Sequence, residues 1–220
     1  MPEELSQQHK SLLDPVERIS ELLFGLIMVL TFTGSLSAAT AGREETRTML
    51  FGAIGCNLAW GIVDAFMYLI NTLTERGQGI LKLREVRAAK NPEAAQRIIA
   101  EALPKPVASV LQGGEIESLR QRLIQLPDPP ARPRLGKQDF LGAAGVFLIV
   151  FLSTFPVVIP FIFMHTALRA LRISNAIAIV MLFLCGYRLG HYGGHRPWHM
   201  GLAMVIVGCV LVAITIALGG

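Results

Sequence analysis

The residues best suited to do chemistry in this chain lie in one long apolar segment. Asp64 sits inside Met49–Leu73, and it is the only acidic residue in the interior of any apolar run long enough to cross a bilayer. A carboxylate at the centre of a membrane costs roughly 2.5–3.5 kcal/mol even on the lenient insertion scale. Asn57 and Asn71 lie seven positions before and after it, which is close to two helical turns, so all three share one helix face. This pattern predicts a polar stripe that faces a protein interior or a water-filled path.

The stripe has the composition of a cation or proton site. A carboxylate with the amide oxygens of Asn57 and Asn71 suits hard or borderline divalent metals, and Met67, one turn beyond Asp64, adds a soft thioether. An alternative interpretation is structural, since a polar side chain in a membrane helix also serves as a hydrogen bond that joins two helices.

A second carboxylate, Glu21, lies near the start of the first apolar segment. Gly25 and Met28 follow it at helical spacing, and a face of small residues lets a partner helix approach closely. We expect Glu21 to act as a metal ligand near the cytoplasmic entrance, with Met28 beside the path. The alternative is an interfacial carboxylate paired with Arg18, three residues earlier.

The composition indicates an all-α polytopic membrane protein. Of 220 residues, 52% are hydrophobic and only 16% charged, with a mean hydropathy of +0.51, and the apolar residues are concentrated in long blocks. No phosphate loop, nucleophile triad or zinc-finger pattern is present, so the sequence predicts no enzyme activity, no permanently bound cofactor and no nucleic-acid partner. The five predicted membrane helices are Ile19–Ala39, Met49–Leu73, Phe140–Met164, Ile173–Tyr187 and Met200–Leu218.

A polar insert separates the second and third predicted membrane helices. The predicted organisation is residues 1–73 with the N-terminal segment and membrane helices 1 and 2, residues 74–139 as a helical insert, and residues 140–220 with membrane helices 3 to 5. The insert carries 12 Lys and Arg against eight acidic residues, so attraction to anionic lipid headgroups is the expected role of its basic side chains. Its last part is rich in proline and predicts a spacer rather than a helix.

The distribution of Lys and Arg predicts the orientation. Sixteen of the 20 lie in the N-terminal segment, the insert and the loop between helices 4 and 5, and four lie in the two opposite loops. The positive-inside rule therefore places the N-terminus and the insert in the cytoplasm and the C-terminus on the opposite side.

The loop between the last two helices holds three histidines, His191, His195 and His199. They could bind a metal near the membrane surface. Because Gly193, Gly194 and Pro197 disfavour a regular helix there, an interfacial turn is the simpler interpretation.

The layout of two helices, a polar insert of about sixty residues and three further helices resembles the vacuolar iron transporter (VIT) family. Arg18-Ile-Ser-Glu21 leading into Gly25 is similar to the family's first helix, and Gly142–Pro160 to its third, which has a proline-containing apolar end. Gly186–Gly190 followed by Gly201–Ala217 resembles its last hairpin. The family usually has Asn-Asp-Gly where this chain has Ser-Glu-Leu around Glu21, so a carboxylate is retained.

The resemblance implies a homodimer in the bilayer that exports cytosolic Fe²⁺, and often Mn²⁺, in exchange for protons. In that family the path runs between subunits, and the insert is a three-helix domain that binds metal through glutamates and a methionine. This insert contains no methionine, and the second helix has Gly61-Ile62 where the family typically has Gly-Glu. The alternative function is a non-transporting membrane scaffold or regulatory protein whose basic insert binds lipid or a partner.

Overall fold

The computed structural model describes residues 15–34, 43–164 and 166–217, and within these ranges every regular element is an α-helix. The helices are α1 (Pro15–Gly34), α2 (Arg43–Ala88), α3 (Pro92–Ala102), α4 (Lys105–Val110), α5 (Gly113–Gln125), α6 (Lys137–Ser153), α7 (Phe155–Phe163), α8 (Ala167–Tyr192) and α9 (Pro197–Ala217). The chain divides into two compact units. One comprises the residues up to Tyr68 and those from Lys137 onward, and the other comprises Leu69–Gly136.

The first unit is a helical bundle built around α1. Leu26, Val29 and Leu30 of this helix are at most 1% exposed. They belong to one apolar cluster with Leu23 of the same helix and with residues of α2, α7 and α8, namely Ala53, Val157, Val158, Ala178 and Leu182. The helix that carries Glu21 is therefore surrounded by packed neighbours.

The third predicted membrane helix is interrupted at Thr154, between α6 and α7. Pro156 and Pro160 have no backbone N–H, so the carbonyl groups of Leu152 and Pro156 lack the usual helical donor four residues later. The chain passes through the break with Thr154 N–H bonded to Phe151 O (3.3 Å), and α7 then begins. The prolines thus remove two helical hydrogen bonds next to the buried Thr154, inside an apolar bundle.

The last hairpin, α8 and α9, is closed by contacts at glycine positions. A β-carbon at Gly186 would lie 2.6 Å from Met204 and 2.7 Å from the Met200 carbonyl, and one at Gly201 would lie 2.7 Å from the Phe183 ring. The absence of side chains at these positions lets the two helix backbones approach closely.

Four described helical segments are long and apolar enough to cross a membrane. They are Leu50–Ala88, Lys137–Phe163, Ala167–Tyr192 and Pro197–Ile214. The predicted first span, Ile19–Ala39, is represented by α1 up to Gly34, and its remaining residues lie outside the described ranges. A fifth span therefore stays a prediction.

Helix α2 does not end at Leu73, where its apolar run ends. It continues to Ala88, which gives the whole helix a length of 46 residues. The continuation is possible because Thr74–Ala88 contains no proline and is rich in good helix formers. Asn91 then caps α3 by accepting a hydrogen bond from the Ala94 N–H (2.9 Å), with Pro92 at the first helical position.

The second unit has its own small core. Val86, Ala95 and Ile99 are buried and pack against the apolar face of α5, which carries Ile116, Leu119 and Leu123. The α3 and α5 helices are also joined through polar side chains, since the Gln96 amide donates to Glu117 (2.8 Å).

Three arginines of α2 hold the proline-rich segment in the second unit. Arg76 donates to Arg134 O (2.6 Å), and Arg84 to Pro130 O and Ala131 O (3.2 Å each). Arg87 pairs with the Asp128 carboxylate (2.8 Å) and also donates to the carbonyls of Leu123, Leu126 and Pro127. These three basic side chains are bonded to main-chain oxygens of the proline-rich segment. The expected attraction of the insert to lipid headgroups stays a prediction.

Candidate functional site

The two carboxylates singled out from the sequence meet in the structure. The side chains of Glu21 in α1 and Asp64 in α2 are hydrogen-bonded to each other, and both are half-buried. A hydrogen bond between two carboxyl groups requires that one of them carries a proton, since an ionised carboxylate only accepts. The pair can therefore hold one proton between two potential metal ligands.

Close helix packing positions the pair. On α2, Gly61 faces Phe147 of α6, where a β-carbon would come within 3.0 Å of the ring. One turn beyond Asp64, the Tyr68 hydroxyl occupies the space that a side chain at Gly142 would need. Asp64 thus lies along α2 between two points, Gly61 and Tyr68, at which α2 packs closely against α6.

Asn57 lies two turns from Asp64 and is 1% exposed. Its amide nitrogen donates to the carbonyl of Gly25 (3.4 Å) and to the hydroxyl of Thr154. Its Oδ1 atom is buried and accepts no hydrogen bond from any residue that the structure describes. The amide therefore connects α1, α2 and the α6–α7 break and leaves one oxygen unbonded.

Three other predicted ligands, Met28, Met67 and Asn71, have no contact with the carboxyl pair among the contacts that the structure describes. Met28 is half-buried on α1. Met67 is 47% exposed, and Asn71 is exposed and belongs to the second unit. The shared face predicted from the seven-residue spacing is thus buried at Asn57, half-buried at Asp64 and exposed at Asn71.

Two carboxylates of the insert are engaged locally. Glu117 accepts two hydrogen bonds from Arg120 (2.7 and 2.6 Å) and one from Gln96, and these donors lower the pKa of Glu117 from 4.5 to about 2. Glu115 accepts from the Gln112 backbone N–H (2.8 Å) in a capping box at the start of α5. In the described part of the chain, no three His, Cys, Asp or Glu side chains gather as a metal site would require.

The turn between α8 and α9 comprises residues 193–196. Of the three histidines expected in the loop, only His195 lies there, since His191 belongs to α8 and His199 to α9. Gly194 has a left-handed φ of 68°, and the His195 Nδ1 lies 2.8 Å from the carbonyl oxygen of Gly193. Trp198 packs against Phe183 with ring centroids 5.1 Å apart, which joins the two helices beside the turn.

Sequence reasoning did not assign Thr154 to the site. It is 1% exposed, and its hydroxyl contacts the Asn57 amide. The signal was the Ser153-Thr154 pair before Pro156, because a proline that breaks a buried helix leaves polar groups that need partners within the bundle.

Comparison with known proteins gives a family assignment. The model of the VIT family matches residues 85–220, which is more than half of the chain and includes the second unit from Glu85 as well as α6 to α9. No curated protein matches the sequence. On the strength of the family match, the chain belongs to the VIT family.

Proposed function

We propose that this protein exports Fe²⁺ or Mn²⁺ from the cytoplasm in exchange for protons, and that the Glu21–Asp64 carboxyl pair is the exchange site. Membership of the VIT family indicates a membrane metal-ion transporter rather than an enzyme. The observation that carries the finer proposal is the hydrogen bond between these two carboxyl groups on neighbouring helices.

The chemistry of the pair couples the two ions. Carboxylate oxygens bind a divalent cation only when they are deprotonated, so a metal ion that enters the pair displaces the proton held there. When the metal leaves, the pair must take up a proton again, because two close carboxylates repel each other without a cation between them. Metal and proton therefore compete for one position, which is the requirement for exchange.

The other predicted ligands have supporting roles in this proposal. Asn57 supplies an amide oxygen beyond the pair, and Met28 lies on the same helix as Glu21. Met67 and Asn71 are exposed, so they would contribute where a second copy of the chain packs against α2. The homodimer is thus part of the proposal, and the exposed apolar residues of α2 around Met67, such as Ile62, Val63 and Phe66, suit such a contact.

The proposed topology has five spans, with α1 as the first. The N-terminus and the insert lie on the cytoplasmic side, where the positive-inside rule places the larger number of Lys and Arg. Glu21, near the start of α1, then lies toward the cytoplasm, from which the metal enters.

The test is Fe²⁺ and Mn²⁺ uptake into proteoliposomes that contain the full-length protein, with and without a pH gradient. We expect gradient-dependent flux of at least one metal, and loss of that flux in Asp64→Asn with the protein still folded. Glu75→Gln, which neutralises an exposed carboxylate of α2 in the second unit, is the matched control and should retain flux. Absence of flux for both metals with folded wild-type protein would refute the proposal.

A further inference from the structure

A buried polar junction lies next to the carboxyl pair and has an oxygen with no partner. Asn57 is 1% exposed, and its Oδ1 atom receives no hydrogen bond from the described residues. A buried amide oxygen without a donor costs about 1–3 kcal/mol. A group so buried and unpaired calls for a ligand that supplies positive charge or a proton.

The rest of the junction consists of uncharged oxygens. The Thr154 hydroxyl and the Gly25 carbonyl both accept from the Asn57 amide nitrogen. Amide, hydroxyl and main-chain oxygens are ligands for hard cations, and none of them has to lose a proton to bind one.

The position of the junction relative to the carboxyl pair is fixed by two hydrogen-bonded pairs. Glu21 bonds to Asp64 and Gly25 bonds to Asn57, so α1 and α2 run antiparallel and the junction lies toward the C-terminal end of α1. At 1.5 Å per residue, the step is about 6 Å along α1 and about 10 Å along α2. A cation can cover this distance in one move between sites.

We propose that Asn57 and Thr154 form a second, uncharged site that receives the divalent cation after it leaves the carboxyl pair. This inference rests on the proposed function. Because the second site has no carboxylate, it holds the metal more weakly and its occupancy does not depend on pH. Its role is to accept the cation, so that the carboxyl pair can be reprotonated and the metal can be released.

The competing explanation is that the Asn57–Thr154 contact is only a hydrogen bond that joins helices. Ser174 provides a matched comparison, because its buried hydroxyl donates to Val157 O (2.7 Å) and so links α8 to α7 through a bond that includes neither Asn57 nor the Thr154 hydroxyl. A variant that removes the Ser174 hydroxyl loses a buried interhelical bond without changing the proposed site.

The experiment measures initial rates of Mn²⁺ transport by the full-length protein in proteoliposomes at several pH values. Thr154→Val keeps the side-chain shape and removes the ligand oxygen, so we expect the maximal rate to fall about tenfold. We expect the KM for Mn²⁺ and the pH profile to be unchanged, because the carboxyl pair is intact. Thr154→Ser should restore the rate, and Ser174→Ala should transport like wild type.

A second variant covers the case in which Thr154→Val does not fold. Asn57→Asp is nearly isosteric and places a carboxylate in the junction, so we expect a lower KM, a lower maximal rate and a pH profile that differs from that of the wild type because a second carboxylate now titrates. Unchanged transport in Thr154→Val, or an equal loss in Ser174→Ala, would overturn the second site while wild-type exchange still supports the carboxyl pair. An Asn57→Asp protein with an unaltered pH profile would also overturn it. If the wild type itself carries no Mn²⁺ or Fe²⁺, the proposed function fails first.

Discussion

The carboxyl group of Glu21 in α1 is hydrogen-bonded to the carboxyl group of Asp64 in α2. These are the two acidic residues of the predicted membrane segments Ile19–Ala39 and Met49–Leu73. Such a hydrogen bond forms when the pair shares one proton, because an ionised carboxylate only accepts. A divalent cation that takes its place would meet two carboxylate ligands from two helices.

The first prediction is that Glu21 and Asp64 act as one unit. Glu21→Gln and Asp64→Asn should each weaken Mn²⁺ affinity at least tenfold, and the double variant should be little worse than either single variant, about as expected for groups that share one ligand. The measurement is a double-mutant cycle on Mn²⁺ binding to the detergent-solubilised protein. Fully additive losses would show that the two carboxyl groups bind independently.

The second prediction concerns the contact between α1 and α6. A β-carbon at Gly25 would collide with the Ser153 hydroxyl and lie 3.0 Å from the Val150 carbonyl. Gly25→Ala should therefore destabilise the bundle by about 1–3 kcal/mol, because the helix backbones must separate. Thermal unfolding in detergent measures this loss.

Gly55→Ala is the control for that substitution, since a β-carbon at Gly55 meets no atom within 4 Å. It should be neutral or slightly stabilising, by up to about 1 kcal/mol, because alanine is the better helix former. Equal effects at the two glycines would contradict close packing at Gly25.

The third prediction is that Arg87 holds the proline-rich segment in the second unit. Its guanidinium pairs with Asp128 and donates to three main-chain carbonyls, which a lysine ammonium cannot reach together. Arg87→Lys should loosen this attachment by about 1.5–3 kcal/mol. Hydrogen exchange of residues 126–136 should rise in the variant, while Arg97→Lys, at an exposed position of α3, should leave it unchanged.

The fourth prediction is an acid dependence in the second unit. The donors around Glu117 lower its pKa from 4.5 to about 2, so the folded state favours the ionised form. The stabilisation is complete above pH 4.5 and is lost as the pH falls from 4.5 toward 2. The protection factors of α3 and α5 against hydrogen exchange, which correct for the intrinsic pH dependence of exchange, should decrease as the pH falls over this range, and Glu117→Gln should reduce that dependence. An identical pH dependence in the variant would rule out Glu117 as its source.

The sequence predicted which residues belong to the candidate site, but not that the side chains of Glu21 and Asp64 contact each other. The cost of a carboxylate in an apolar helix identifies Asp64, and the position at the start of the first apolar segment identifies Glu21. Their contact depends on how α1 and α2 are aligned, which periodicity within one helix does not determine. Asn71 shares a helix face with Asn57, yet burial changes along α2, since Asn57 lies in the bundle and Asn71 in the second unit. The spacing of polar residues predicts which helix face they share, but not how much of that face is buried by neighbouring helices.

The end of α2 shows the same distinction. The apolar run ends at Leu73, and the helix ends at Ala88, because hydropathy reports which residues suit a membrane and helix propensity reports where a helix can continue. The arginines of the continued helix bond to main-chain carbonyls of the proline-rich segment, a role that composition alone attributes equally well to lipid.

The measurement that tests the central claim most directly follows metal and protons together. Proteoliposomes holding the full-length protein and an internal pH dye would be given Mn²⁺ or Fe²⁺, and metal uptake and internal pH would be recorded in the same vesicles. Exchange at the Glu21–Asp64 pair predicts that protons leave the vesicles as metal enters, so the internal pH rises with metal uptake, and that both signals are lost in Asp64→Asn. Metal uptake with no accompanying proton movement, or uptake that persists in Asp64→Asn, would contradict the account.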